Sequence, residues 1–192
     1  MLATDLPNVR GPEEYLFLER QSEFKSEYIN GRTLAMSGAS LNHNVVSGNV
    51  FAAVHEQVRG GTCRAFGSDM RVKVGDNYFY PDVSIACPRP EVEGPGGDNL
   101  TNPTVVFEVL SPSTEQRDRT VKAMAYRRLP SLQVYVLVAQ DRPFVECFRR
   151  HDPFWVYESF DSLDQVLELP VVDCRLSLAD MYAGVTPEPL GD

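Results

Sequence analysis

The sequence predicts a single α/β domain in which a mixed β-sheet is flanked by helices, with a β-hairpin near the N-terminus. Three observations carry that expectation. Two alternating segments flank Asn30-Gly31 in "FKSEYINGRTLAMSG", and Asn-Gly favours a two-residue hairpin turn. Val46, Val50, Ala53, Val54 and Val58 recur at helical spacing behind Ser40, a good N-cap. "VVFEVL" and "LQVYVLV" are almost wholly apolar, as buried strands are, and a stretch with helical periodicity separates them.

The elements follow in order. Residues 1–12 read as an N-terminal tail, 13–185 as the domain and 186–192 as a C-terminal tail. "PEEYLFLERQS" predicts a short helix with Pro12 at its first position. The hairpin comes next, then the valine-striped helix up to Gly60-Gly61. "CRAF" suits a strand, and "MRVKVGDNYFYPDVSIAC" suits two strands joined at Gly75 to Asn77. Pro88 to Pro103 is dense in Gly, Pro, Asp and Asn, which predicts an excursion loop. The "VVFEVL" strand leads into a helix from about Thr114 to Leu129, where Ser113 and Gln116 fit a capping box. Leu132 to Val138 predicts a central strand. "PFVECFRR" and "FWVYESF" predict a late hairpin around Asp152-Pro153, and "LSLADMYAG" a terminal helix.

Bulk composition narrows the function. With 192 residues, 43% of them hydrophobic and 23% charged, the chain suits one folded core rather than a disordered polymer. No apolar run approaches the ~20 residues of a membrane span. The first residues, "MLATDLPNVRGPEEY", have neither a basic start nor a hydrophobic stretch, so the expected compartment is the cytoplasm. Cys63, Cys87, Cys147 and Cys174 are far apart, without a Cys-x-x-Cys pair, and are expected to be reduced core thiols. A net charge of −9 argues against coating nucleic acid through bulk positive charge. It leaves room for an enzyme that grips a phosphodiester locally through metal ions and a few arginines.

Glu108 is the anomaly. A carboxylate inside a buried strand is costly unless something compensates it. Upstream, "YFYPDVSIAC" sets Asp82 into a second apolar strand, 26 positions before Glu108. If the two strands are neighbours, the acids converge and raise one another's pKa, and a divalent cation would relieve the repulsion. Asp118, Lys122 and Tyr126 form one stripe on the following helix, and Lys122 is the only lysine after Glu108. An ammonium beside a metal-bound phosphate would steady developing charge. The plainer alternative for Asp118 and Lys122 is an ordinary exposed helix pair.

"YPDVSIAC" followed by "VVFEVLSPSTEQRDRTVKAMAYRRLPSLQVYVLV" resembles the Uma-two family of bacterial restriction-endonuclease-like proteins, within the PD-(D/E)XK nuclease superfamily. The resemblance covers about residues 13–185 and includes the "SEYINGRTLAMSGAS" hairpin. It implies a restriction-endonuclease-like fold and hydrolysis of DNA phosphodiesters with Mg²⁺ or Mn²⁺. Asp82 and Glu108 would hold the ion, joined by the backbone carbonyl of Val109. The superfamily usually has lysine where this chain has Leu110, and Lys122 matches the family pattern as its substitute. Glu27 and His43 match further family positions. Nucleases of this fold that cut both strands often pair, so a homodimer is expected, with the late hairpin as one contact.

Two other readings stand beside this one. Leu110 and the −9 charge favour a catalytically inactive binding or regulatory module on the nuclease scaffold. A hydrolase of small phosphodiesters is the third. Arg117, Arg119, Arg127, Arg128, Arg149 and Arg150 would either grip a phosphate backbone or form a solvated charged face.

Overall fold

A computed structural model describes residues 9–186. Of the expected tails at 1–12 and 186–192, residues 1–8 and 187–192 lie outside the described residues. Pro12 does open helix α1 (Pro12–Glu19). Strands β1 (Ser26–Ile29) and β2 (Arg32–Ala35) form the expected hairpin. Asn30 (φ 50°) and Gly31 (φ 83°) both take the left-handed conformation that this two-residue turn requires. Helix α2 (Leu41–Val58) follows, its Ser40 hydroxyl accepting from the His43 N–H at 3.1 Å.

Six short strands come next: β3 (Arg64–Gly67), β4 (Arg71–Val74), β5 (Asn77–Phe79), β6 (Val83–Ala86), β7 (Val92–Glu93) and β8 (Asn99–Leu100). Strand β9 (Val105–Leu110) leads into helix α3 (Glu115–Arg117), a π-helical turn (Asp118–Lys122) and helix α4 (Ala123–Tyr126). The chain closes with β10 (Val134–Ala139), β11 (Val145–His151), β12 (Phe154–Phe160), β13 (Val166–Leu169), β14 (Cys174–Ser177) and helix α5 (Leu178–Met181).

The α/β class and mixed strand directions are as expected, and the strands are shared between two six-stranded sheets. One runs β2-β1-β5-β4-β8-β7, the other β12-β11-β10-β9-β6-β3, and β13 and β14 pair by themselves. β9 and β10 are parallel, with the α3–π–α4 segment as their crossover. One face of β9 carries Val105, Phe107 and Val109, which pack with Val46, Val50 and Val54 of α2. The other carries Val106 and Leu110, which pack with Val72, Phe79 and Leu100 of the first sheet and with Tyr126. By alternation Glu108 points to this second side, between the sheets.

Several local expectations change. Residues 71–86 form three strands, because Tyr80, Pro81 and Asp82 carry the chain from one sheet to the other. Pro81 lacks a backbone donor, which suits a break between ladders. The excursion loop contributes β7 and β8 to the first sheet. The capping box is absent: Thr114 is the N-cap and makes no side-chain cap bond. Ser111 Oγ instead bonds the hydroxyls of Ser113 and Thr114, at 3.1 and 2.9 Å. Part of the expected terminal helix is strand β14, which leaves α5 four residues long.

The cysteine expectation also needs correction. Cys63 and Cys87 form a disulfide, while Cys147 and Cys174 stay free and buried. β3 and β6 pair antiparallel with Arg64 opposite Ala86, so the next residues out, Cys63 and Cys87, face each other with Cα atoms 4.4 Å apart. Distance along the sequence says nothing about such a pairing. No helix among the described residues is long and apolar enough to cross a membrane.

Candidate functional site

The strand register brings the two predicted acids to one place. β6 pairs antiparallel with β9, with Val83 opposite Phe107, so one further step sets Asp82 opposite Glu108. Their surroundings nevertheless differ. Asp82 Oδ2 accepts the Val109 N–H at 2.7 Å and lies 3.4 Å from His43 Nε2. Glu108 meets Lys122 and Tyr126, whose Nζ and hydroxyl both donate to Oε1, at 3.1 and 3.2 Å. Among the hydrogen bonds and ion pairs of the described residues, the two acids share no partner.

Lys122 holds the centre. Its ammonium lies 2.9 Å from Glu27 Oε1, 3.1 Å from Glu108 Oε1 and 3.2 Å from Asp118 Oδ1. All four side chains are deeply buried: Glu27, Glu108, Asp118 and Lys122 expose 2, 3, 1 and 4% of their surface. The local fold explains how. Glu27 projects from β1, its Oε1 also accepting the Tyr80 N–H at 3.1 Å, and Arg117 lies 3.6 Å from its other oxygen. Asp118 and Lys122 are the two ends of the π turn, a widened helical turn that recurs at functional sites. Tyr135 of β10 donates its hydroxyl to the Asp118 carbonyl at 2.9 Å, fixing the turn to the sheet. The exposed-pair alternative for Asp118 and Lys122 is thereby removed.

Three carboxylates around one ammonium cannot all be ionised cheaply in a dry site. Burial pushes the Glu108 carboxyl well above the usual range. Lys122 offsets this in part, while Asp118, Asp82 and Glu27 push it further up. Asp118 is raised as well, by burial first, against the pull of Lys122. Burial alone would lower Lys122, yet Glu108, Glu27 and Asp118 outweigh it and keep the ammonium charged. The arrangement is a buried acid cluster closed over an internal cation.

His43, at the start of α2, serves Asp82. Burial pulls its pKa down, but the Asp82 hydrogen bond and charge, helped by the Val109 carbonyl, raise it overall. Its Nδ1 is buried without a hydrogen-bond partner among the described residues. The Val109 N–H is spent on Asp82.

Among the described residues, no three His, Cys, Asp or Glu side chains are arranged to hold a metal ion. Glu108 Oε1 is committed to Lys122 and Tyr126 and Asp82 Oδ2 to the Val109 N–H. Glu108 Oε2 and Asp82 Oδ1 accept no hydrogen bond among the described residues, and Mg²⁺ commonly takes one or two carboxylates and completes its shell with water.

Most of the arginines have internal work. Arg150 donates to the carbonyls of Leu132, Arg127 and Leu129. Arg149 pairs with Glu158, and Arg119 with Glu115 and Glu146. Arg127 lies over Phe148 and Trp155. Sequence reasoning passed over Asp118 and Tyr126 as site members although both share the Lys122 stripe. It had no signal at all for Tyr135.

Known proteins are similar to this chain. The family model described as "Uma2: Putative restriction endonuclease" matches residues 12–179. The uncharacterized protein slr1290 of Synechocystis sp. is 34% identical over 178 residues, which is 91% of this chain and 92% of that protein. A second uncharacterized Synechocystis protein, sll1609, is 36% identical over 129 residues, covering 66% of this chain and 73% of its own. The crystal structure described as a putative nuclease belonging to DUF820 from Anabaena variabilis superposes with a TM-score of 0.74. It is 24% identical and covers 93% of this chain and all of that one, which is a likeness of fold.

Proposed function

The chain belongs to the Uma2 family of restriction-endonuclease-like proteins, and from that premise we propose that it acts as a binding or regulatory module of the nuclease fold, with its cation seat filled by its own Lys122. One observation carries the reading: a buried ammonium within 3.2 Å of three buried carboxylates, Glu27, Glu108 and Asp118. An internal cation removes the repulsion that would otherwise recruit a metal. DNA is the ligand that family membership suggests. With most of those arginines engaged internally and a net charge of −9, affinity for it would rest on local contacts rather than bulk attraction. A cytoplasmic setting belongs to the same proposal, and the Cys63–Cys87 bond weighs against it, since disulfides are rare there.

The second reading, a Mg²⁺- or Mn²⁺-dependent endonuclease with Asp82, Glu108 and Lys122 as its working groups, is favoured by the register that sets the two acids opposite each other. One experiment separates the two. Purified protein is incubated with plasmid, single-stranded and short duplex DNA, with Mg²⁺, Mn²⁺ or chelator, beside Asp82→Ala, Glu108→Gln and Lys122→Ala. The module reading predicts no nicking above background by any of them. Metal-dependent nicking by the unaltered chain, abolished by both acid substitutions, would establish the endonuclease instead.

A further inference from the structure

β12 ends its sheet as a bare edge. Arg150 donates its backbone N–H to Gln133 O at 2.8 Å, so its backbone faces β10, and alternation turns Arg149 and His151 toward β12. Arg149 pairs with Val156 and His151 with Phe154. Phe154, Val156, Glu158 and Phe160 therefore spend their backbone groups on β11, and those of Trp155, Tyr157 and Ser159 point away from the sheet. None of these six outward N–H and C=O groups has a partner among the described residues.

Natural edges are blunted by Pro, Lys, bulges or shortness. β12 has none of these devices. It is seven residues long, pairs with β11 without a bulge, and carries one charge, Glu158, which Arg149 already compensates at 2.8 Å. The other edges of the two six-stranded sheets, β2, β3 and β7, have four, four and two residues, and β13 and β14 of the two-stranded sheet have four each. Apolar side chains crowd this edge: Phe154, Val156 and Tyr157 are 71, 43 and 52% exposed.

We infer that β12 is a homodimer interface, pairing antiparallel with β12 of a second copy about a two-fold axis at Tyr157. The strand complements itself in this register. Tyr157 meets the second copy's Tyr157, and Trp155 meets the second copy's Ser159. Both are hydrogen-bonding pairs, so all six outward groups of each strand are satisfied. On the opposite pleat Phe154 meets the second copy's Phe160, and Val156 meets the second copy's Glu158. Aromatic residues thus stack on aromatic residues across the seam, and no like charges face each other. The closed two-fold leaves no strand free on this side, so assembly stops at two. The two sheets become one of twelve strands, and the acid clusters, which lie elsewhere on the chain, remain independent of the contact.

Light scattering and engineered cross-linking test this directly. The unaltered protein at high micromolar concentration should have twice the 21.5 kDa chain mass. Tyr157→Lys sets two ammonium groups directly opposite across the axis and should give monomer, with circular dichroism unchanged. Tyr157→Cys supplies a gain of signal. Treated with oxidised glutathione, the two introduced thiols are oxidised to an intermolecular disulfide while glutathione disulfide is reduced to two thiols, giving a covalent dimer. Arg59→Cys, on an exposed position at the end of α2, should stay monomeric on the same non-reducing gel. A monomeric unaltered protein would overturn the interface. So would a dimer that survives Tyr157→Lys, or the absence of cross-linking by Tyr157→Cys.

Discussion

Replacing Lys122 with methionine keeps an unbranched stem of about the same length and removes the ammonium group, with its charge and its N–H donors. In the unaltered protein that charge sits 2.9, 3.1 and 3.2 Å from three carboxylates in a nearly dry site. Its removal strands them unequally. Glu27 keeps the Tyr80 N–H and the more distant Arg117, and Glu108 keeps the Tyr126 hydroxyl. Asp118 loses the cation it is ion-paired with. Breaking a buried ion pair by deleting one partner costs about 3–5 kcal/mol. For a chain of this size that lowers Tm by roughly 6–20 °C. The loss should depend on pH in a definite direction. Burial without the ammonium lifts the folded-state pKa of Glu108 and Asp118 further above the unfolded values of about 3.9–4.3. The folded form of the variant then binds protons more tightly than the unfolded form. Its stability falls as pH rises through the lifted values and recovers toward acid pH. Urea unfolding followed by the fluorescence of the single tryptophan, Trp155, at pH 5.5, 7 and 8.5 measures both effects. A cost below about 1 kcal/mol at pH 7 with no pH dependence would refute the buried cluster.

Other outcomes follow from the same geometry. Glu108→Gln should cost little, about 1 kcal/mol or less, because burial already pushes the Glu108 carboxyl well above the usual range and an amide oxygen can still accept from Lys122 and Tyr126; chemical denaturation checks it. The His43 imidazole should titrate above its ordinary 6.5 in an NMR pH series, and Asp82→Asn should bring it down. Stability from the His43–Asp82 pair is full below the unfolded histidine value and is lost as pH rises through the raised folded one. A thiol count on denatured, unreduced protein should find two free cysteines, Cys147 and Cys174, and four after reduction.

Local chemistry explains what was legible in the sequence. The Asn30-Gly31 turn is written in two residues that tolerate positive φ, and α2 is written in its valine spacing and Ser40 cap. Glu108 was legible as a buried carboxylate in need of a partner. What was hidden depends on contacts between distant segments. Helical spacing puts Asp118 and Lys122 on one face but does not say whether that face is buried; the packing of the crossover, with the Asp118 carbonyl held by Tyr135 of β10, decides it. The division into two sheets turns on three residues, Tyr80 to Asp82, where Pro81 signals a strand start or an edge but not a change of sheet. The Cys63–Cys87 bond follows from the register of β3 on β6, which no spacing rule encodes.

Titrating Mn²⁺ into the unaltered protein and into Lys122→Met at pH 7, by calorimetry, tests the central claim most directly. If Lys122 fills the seat, the unaltered chain shows no saturable binding below millimolar Mn²⁺, and the variant gains a site that Glu108→Gln in the same background removes. Tight, stoichiometric binding by the unaltered protein, lost on Asp82→Ala, would contradict it and return the chain to metal-dependent hydrolysis.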